Sequence, residues 1–333
     1  MNQIKPMLLT TLKSYDRSQF VKDVTAGIIV AIIALPLSIA LALASGVGPQ
    51  AGIFTAIVAG FVISAFGGSS VQIAGPTAAF ATIVAGIVAQ DGLDGLVIST
   101  ILASIFLILM GLCHFGSLIK FIPYTITTGF TSGIAVTIVI GQLKDFFGVT
   151  YPNGLKPIET MEKLNAFALG FSSFHVDALI VGGVSLAILI ISPYIFKRIP
   201  GSLIAVVIGI LMVKFLPLKV STIGNLYTIS NALPSFHLPT VNFEIVQAAI
   251  PNAFTIAILA AIESLLSCVV ADGMINGKHR SDMELVAQGA GNIASALFGG
   301  IPATGAIART AANIKNGGRT PVAGIVHSIT LVI

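Results

Sequence analysis

Apolar residues occur in long runs along almost the whole chain, separated by short polar segments. A membrane-spanning helix takes about 20 residues to cross the ~30 Å hydrocarbon core. Ten or eleven apolar runs follow the mixed first 22 residues, at 24–45, 49–66, 76–90, 93–115, 121–142, 176–197, 200–217, 247–271, 283–298, 303–316 and 321–333. Two of these runs, 76–90 and 303–316, are too short to span as helix alone. The pattern predicts an all-α polytopic membrane protein with two half-length helices.

The two short runs follow one sequence plan. The first comes after SAFGG, which ends at Gly68, and its helix opens with Gly-Pro-Thr at 75–77. The second comes after SALFGG, which ends at Gly300, and opens with Ile-Pro-Ala-Thr at 301–304. By the count of crossings, the two copies enter the membrane from opposite sides. Paired segments interrupted by Gly and Pro predict inverted-topology repeats with a binding site between them.

Physical chemistry favours an anion at that site. A helix that begins at membrane depth leaves its first N–H groups unpaired, and its dipole places partial positive charge there. Two such ends facing each other form a cradle for an anion. Small side chains let a ligand approach the backbone, at Gly75, Ala78, Ala79, Gly305, Ala306 and Ala308. The alternative is that these small residues serve close helix packing alone.

Two charged residues lie deep within apolar runs. Arg309 is about one and a half turns into the second short helix, and a charge at this depth usually lines a cavity or pathway. Glu263 lies far from either end of the run at 247–271. Glu263 could hold a coupling ion, carry a proton or pair with Arg309. The alternatives without a transport role are a structural ion pair and a hydrogen-bonded strut.

Composition excludes several classes of protein. The chain has 55% hydrophobic and 9% charged residues, whereas soluble domains have about 25% charged residues. The net charge of +4 gives no reason to expect nucleic acid as a partner. The five histidines lack metal-ligand spacing, so we interpret them as loop or interfacial residues and predict no metal site. No phosphate loop, dinucleotide fingerprint or nucleophile elbow occurs, which predicts no cofactor and no enzyme activity.

Lysine and arginine residues near the runs predict the orientation. The segment 1–22 carries four of them, is not a cleavable signal, and is expected in the cytoplasm with the chain in the inner membrane. Further basic groups alternate consistently with this orientation, at Lys120, Lys197 and Arg198, Lys278 and Arg280, and Lys315 and Arg319. Residues 23–333 then form the membrane domain. Because 13 residues follow Thr320, we expect that domain to be incomplete at its C-terminus.

Several long motifs resemble the SulP/SLC26 family of anion transporters. They are DVTAGIIVAIIALPLSIALALASGVGPQAGIFTA, GGSSVQIAGPTAAFATIVAG, IPYTITTGFTSGIAVTI, AAIESLLSCVVADGM and FGGIPATGAIARTAANIKNGGRTPVAGIVHS. The resemblance implies an inverted seven-plus-seven repeat fold with a core and a gate domain, here truncated in its second repeat. It implies two short strands that lead into the half-helices. It also implies a STAS domain after the last helix, absent from this sequence, and a homodimer when full-length.

The resemblance also assigns residues. Thr77 and Ala78 would start the first half-helix, 304–308 would line its counterpart, and Arg309 would be the family's basic residue. The predicted substrate-binding set is therefore Gly75, Pro76, Thr77, Ala78, Thr304, Gly305, Ala306, Ala308 and Arg309. Some relatives carry a hydroxyl immediately before the basic residue, where this chain has Ala308. No catalytic residue is predicted.

Glu263 matches the acidic residue of the family's eighth segment and is the predicted coupling residue. Sodium-coupled bicarbonate carriers of the family have a second acid one turn earlier, where this chain has Leu259. This difference favours proton symport or anion exchange. The expected function is elevator-type secondary active transport of a small anion. C4-dicarboxylate is the first choice, because the closest likeness is to the family's bacterial dicarboxylate carriers, followed by sulfate and bicarbonate. An anion channel or exchanger of the same fold is the alternative.

Overall fold

The computed structural model describes residues 4–117, 124–155, 157–195, 201–228 and 232–333. The chain divides into two compact units, of which the first comprises Met1–Thr127 and Ile229–Ile333 and the second Thr128–Thr228. The basic residues Lys120, Lys197 and Arg198, which contribute to the predicted orientation, lie outside the described residues. The same is true of the start of the predicted run at 121–142.

The first unit contains the elements that form the site. Its helices are α1 Leu8–Thr11, α2 Arg17–Ala44, α3 Pro49–Phe66, α4 Ala81–Leu112, α10 Phe243–Ile275, α11 Ser281–Leu297, α12 Ile307–Lys315 and α13 Pro321–Thr330. Two short strands, β1 Ala74–Gly75 and β2 Thr304–Gly305, complete it. A short 3-10 turn, Ala78–Phe80, precedes α4. The two strands lie at the predicted interruptions, and each leads into a helix as the sequence predicts.

The second unit is built from helices alone among its described residues. They are α5 Tyr124–Phe146, which begins at the end of the first unit, α6 Thr160–Gly170, α7 Val176–Ile195, α8 Gly201–Phe215 and α9 Ile223–Leu226. The helices α7 and α8 pack against each other. Helix α6 starts at a capping box formed by Glu159 and Glu162. The hydrophobic pattern showed only a connection there, because α6 is too short and polar to cross a membrane.

Five helices within the described residues are long and apolar enough to cross a membrane, by length and composition. They are Arg17–Ala44, Pro49–Phe66, Ala78–Leu112, Val176–Ile195 and Phe243–Ile275. Many large apolar side chains on these helices are exposed, including Ile32, Phe61 and Leu109. A soluble surface rarely carries so much contiguous apolar area. The chain is therefore a multi-pass membrane protein, as its composition predicts.

Helix α4 is interrupted at one residue. Gly92 has φ 70° and ψ −169°, a backbone conformation far from helical that glycine adopts without a Cβ clash. The break divides α4 into a first part that ends near residue 91 and a longer second part. It lies between the predicted runs at 76–90 and 93–115. The first part is thus a half-length helix that directly follows β1.

Glycine residues allow the helices of the first unit to approach closely. A Cβ at Gly52 of α3 would overlap the carbonyl oxygen of Ser38 in α2. A Cβ at Gly27 of α2 would lie 2.6 Å from the carbonyl oxygen of Ala323 in α13. Small residues at such interfaces bring the backbones of membrane helices into contact. The helices α2, α3 and α13 therefore form one tightly packed group beside the strands.

Candidate functional site

The two strands pair with each other and so bring the two sequence repeats together. The pairing is antiparallel, with Ala74 opposite Gly305 and Gly75 opposite Thr304. Ala306 N–H also donates to the carbonyl oxygen of Ile73 at 2.9 Å. Both strands are buried. Two segments that lie about 230 residues apart in the chain therefore meet at one point inside the first unit.

A helix begins immediately after each strand. On the β1 side, Thr77 precedes the 3-10 turn Ala78–Phe80 that leads into α4. On the β2 side, Ala306 precedes α12. Neither start has a side-chain cap. The first-turn N–H groups of both helices therefore lack a side-chain acceptor, and both positive dipole ends lie beside the strand pair.

Glu263 of α10 lies at the same place. Its Oε2 accepts hydrogen bonds from the Oγ1 atoms of Thr77 and Thr304, each at 2.8 Å. The two hydroxyl oxygens are 3.2 Å apart. The next residue of α10, Ser264, accepts a hydrogen bond at its Oγ from Gly305 N–H at 3.2 Å. One carboxylate thus connects α10 to Thr77 at the first helix start and to Thr304 in β2, the strand that leads into α12.

Arg309 lies against the strand pair but is buried, with 2% of its surface exposed. Its Nη2 donates to the carbonyl oxygen of Pro76. A Cβ at Gly75 would collide with its Nη1 and lie 3.6 Å from Cα of Ala56, so the guanidinium lies on the side of β1 that faces α3. Within the described residues, no acceptor contacts its Nε or Nη1. No ion pair within 4 Å joins Arg309 to Glu263 in that part of the chain.

The predicted substrate-binding residues therefore lie together, but at different depths. The buried members are Gly75, Pro76, Thr304, Gly305, Ala306 and Arg309. Thr77, Ala78 and Glu263 are partly buried, and Ala308 is exposed. The accessible part of the site thus consists of Thr77 and Ala78 at the first helix start, Ala308 at the second, and the carboxylate of Glu263. The positive charge of Arg309 lies behind the strands.

The structure adds residues that the sequence reasoning missed. Asn292 of α11 forms two hydrogen bonds to Ala303, the residue before β2. Its Nδ2 donates to the carbonyl oxygen of Ala303 at 2.9 Å, and its Oδ1 accepts from Ala303 N–H at 2.7 Å. Glu284 of the same helix contacts the segment before β1. Both side chains are buried. The detectable signal was a carboxylate and an amide within the predicted run at 283–298, which we interpreted only as a span.

His327 corrects the interpretation of the histidines as loop or interfacial residues. It lies in α13 and is fully buried. Its Nδ1 lies 3.8 Å from the position that a Cβ on Gly60 of α3 would occupy. The detectable signal was the position of His327 inside the predicted apolar run at 321–333, where a loop or interfacial residue is not expected. Groups of three side chains that could hold a metal ion do not occur among the described residues.

These features define a class of protein: a multi-pass membrane protein in which two interrupted segments pair as strands and place two helix starts side by side. The model of the sulfate permease family matches residues 20–333. The chain belongs to this family, which confirms the resemblance drawn from its motifs.

Individual relatives agree with this assignment. The chain is 43% identical over 327 residues to the putative sulfate transporter YvdB of Bacillus subtilis, covering 96% of this chain and 61% of YvdB. It is 34% identical over 322 residues to the bicarbonate transporter BicA of Picosynechococcus, covering 93% of this chain and 56% of BicA. The chain thus spans about three fifths of the length of these relatives.

Solved structures show the same fold. The transmembrane domain of a cyanobacterial bicarbonate transporter, BicA, superposes with a TM-score of 0.83 at 32% identity, covering 96% of this chain and 82% of that chain. The overall structure of SLC26A9 superposes with a TM-score of 0.84 at 20% identity, covering 99% of this chain and 56% of that chain. The predicted SLC26-like transporter fold is therefore confirmed.

Proposed function

We propose that this protein is a secondary active transporter of small anions and that the anion binds at the two helix starts beside β1 and β2. The pairing of Gly75 with Thr304 carries this proposal, because it brings both helix starts to one point. Unpaired N–H groups and aligned dipoles make a helix start a favourable anion site. Two helix starts side by side provide twice as many N–H donors and two positive dipole ends for the anion, without requiring a side-chain ligand.

The lack of a direct ion pair on Arg309 within the described residues supports an anion as substrate. Arg309 is buried and lies against β1, and in the described part of the chain no carboxylate lies within 4 Å of it. Its charge is therefore not neutralised by direct pairing. In a medium of low dielectric, such a charge acts over several ångströms. We infer that Arg309 attracts the anion through the strand pair. The anion's first contacts are backbone N–H groups at the helix starts, because the Thr77 hydroxyl already donates its proton to Glu263.

The substrate class follows from the relatives' names only in part. YvdB is named as a putative sulfate transporter and BicA as a bicarbonate transporter. Both sulfate and bicarbonate are small oxyanions that accept several N–H bonds. The preference for C4-dicarboxylate stays a prediction. A competition panel of sulfate, bicarbonate and succinate on the reconstituted full-length protein distinguishes the three.

Movement and coupling are further parts of the proposal. All of the site residues belong to the first unit, so an elevator-type movement could carry the intact site as one body. Glu263 is the proposed proton carrier, since its carboxylate contacts Thr77 at the first helix start and Thr304 in the strand that leads into the second. We place the N-terminus in the cytoplasm and the protein in the inner membrane, with a homodimer as its assembly.

The direct test removes the positive charge at the site. In full-length protein reconstituted in vesicles, we expect Arg309→Ala to reduce uptake at least about tenfold, since hydrogen bonds and attraction involving a charged group contribute roughly 1.5–3 kcal/mol. Lys315→Ala is the matched control, because it removes a positive charge from the exposed end of the same helix. Wild-type uptake by the Arg309 variant would rule out this site.

The same vesicles separate a transporter from an anion channel of the same fold. A secondary active transporter accumulates the labelled anion above its external concentration when a proton gradient or an exchange anion is supplied. A channel only equilibrates the anion with the membrane potential. Accumulation that collapses with the proton gradient supports symport, and accumulation that requires an internal anion supports exchange.

A further inference from the structure

A fully buried carboxylate, that of Glu284, contacts the segment that leads into β1. Glu284 of α11 is fully buried, and in the described residues no lysine, arginine or histidine nitrogen lies within 4 Å of it. Instead it accepts four hydrogen bonds from neutral donors. These donors are Gly68 N–H at 2.9 Å, Ser69 N–H at 3.2 Å, Gln72 Nε2 at 2.7 Å and Gln288 Nε2 at 2.9 Å.

Gln72 connects this carboxylate to the strands and to α10. Its Oε1 accepts a hydrogen bond from the thiol of Cys268, five residues after Glu263, at 2.9 Å. A Cβ on Gly305 of β2 would collide with the Gln72 amide, so the amide lies directly against the β2 backbone. The side chain of Gln72 thus contacts three elements of the site at once.

We propose that Glu284 and Gln72 form a positioning pair that holds the two helix starts in the geometry that binds the anion. The inference rests on the proposed function. Glu284 fixes the segment that enters β1, and Gln72 lies against β2. Asn292 lies eight residues further along α11, which is about 12 Å at 1.5 Å per residue. It forms two hydrogen bonds to Ala303, the residue before β2. One helix therefore sets the position of both strands.

While position 72 is a glutamine, a neutral glutamine at position 284 would not serve, because one of its two terminal atoms would be a donor facing another donor. All four partners of Glu284 are donors, so both carboxylate oxygens must accept. Burying a charge without a cation is costly unless every lone pair is satisfied. A carboxylate so completely bonded holds its partners in one arrangement, because any displacement leaves a buried charge or donor unpaired. Neither residue contacts the accessible part of the site, so both act through the strands.

A reciprocal exchange tests the pair. In Glu284→Gln, the new NH2 group faces the NH2 group of Gln72, and in Gln72→Glu two carboxylates face each other. The double variant Glu284→Gln/Gln72→Glu restores one donor and one acceptor between the two positions. It also keeps an oxygen for the N–H groups of Gly68 and Ser69, and an oxygen for the Cys268 thiol. The Gln288 amide, whose Oε1 has no hydrogen-bond partner within the described residues, turns that oxygen toward the new NH2 group.

The measurement is uptake kinetics of the full-length protein in vesicles, with whichever of sulfate, bicarbonate and succinate the wild type takes up best. We expect each single variant to raise the apparent KM at least about fivefold, and the double variant to return it to within about twofold of wild type. Glu244→Gln, an exposed change of the same kind on α10, is the matched control and should leave KM unchanged.

Three results would overturn the inference. They are a single variant with wild-type KM, a double variant no better than the singles, and loss of Vmax with folded protein while KM stays constant. If the single variants do not fold, the double variant decides: its recovery of folding and wild-type KM supports the pair, and its failure refutes it. Absence of uptake by the wild type would contradict the proposed function itself, whereas wild-type uptake with unchanged KM in the variants contradicts this inference alone.

Discussion

At the scale of single residues, a few polar side chains hold the site together, because each one forms hydrogen bonds to more than one element. One oxygen of Glu263 accepts hydrogen bonds from Thr77 and Thr304, one from each side of the strand pair. The position of Glu263 within an apolar run predicted a functional or structural role for it. Its partners could not be predicted, because residues 77, 263 and 304 become neighbours only through the fold. The sequence also left open an ion pair with Arg309, which the geometry does not support.

Glu263→Gln tests the coupling role at this scale. Glutamine keeps the size of the side chain and its bonds to the threonine hydroxyls, but it cannot gain or lose a proton. We expect wild-type uptake to rise with external acidity and the variant to lose that dependence while still exchanging anions. Uptake and exchange of the labelled anion are measured at external pH values from about 5 to about 8. An unchanged pH response in the variant would refute proton transfer through Glu263.

At the scale of elements, the strand pair and the helices after it were the most predictable part of the fold. The FGG repeats and the Gly and Pro residues after them placed both interruptions, and the alternation of crossings predicted their opposite directions. The register of β1 against β2 was not predictable, because two-residue strands carry no hydrophobic alternation. The supporting role of α11 was missed for a related reason. The carboxylate of Glu284 and the amide of Asn292 interrupt an apolar pattern that is otherwise typical of a membrane-spanning helix.

Gly305→Ala tests the close packing at the strands. The added Cβ would collide with the amide of Gln72, and such overpacking costs about 1–3 kcal/mol. We expect a lower thermal unfolding temperature and a raised KM for the anion. Gly86→Ala in α4 is the matched control, since nothing lies within 4 Å of its added Cβ and alanine favours helix. If both variants melt at the wild-type temperature and share its KM, the packing at Gly305 is not required.

At the scale of the whole molecule, hydrogen bonds within the first unit join a residue near the N-terminus to residues near the C-terminus of the described chain. The buried carboxylate of Asp23 in α2 accepts hydrogen bonds from Arg319 N–H at 2.9 Å and from the Thr320 hydroxyl at 2.6 Å. It also accepts from the Tyr15 hydroxyl at 3.0 Å, and burial together with this bond raises the pKa of Tyr15 to about 12. The sequence predicted the class of protein, the positions of most helices and the family, but it could not predict contacts between residues 296 or 297 positions apart. Through these hydrogen bonds, Asp23 near one end of the chain holds the start of α13 in place near the other end.

The central claim, that a small anion binds at the paired helix starts, is tested most directly by the reactivity of a thiol placed there. Ala308 is exposed in the first turn of α12, and the native Cys113, exposed and outside the site, provides an internal control. In the Ala308→Cys variant of the full-length protein, we predict that the transported anion slows modification of the new thiol severalfold by a charged reagent and leaves the rate at Cys113 unchanged. Equal rates at the new thiol with and without saturating sulfate, bicarbonate and succinate would contradict the claim.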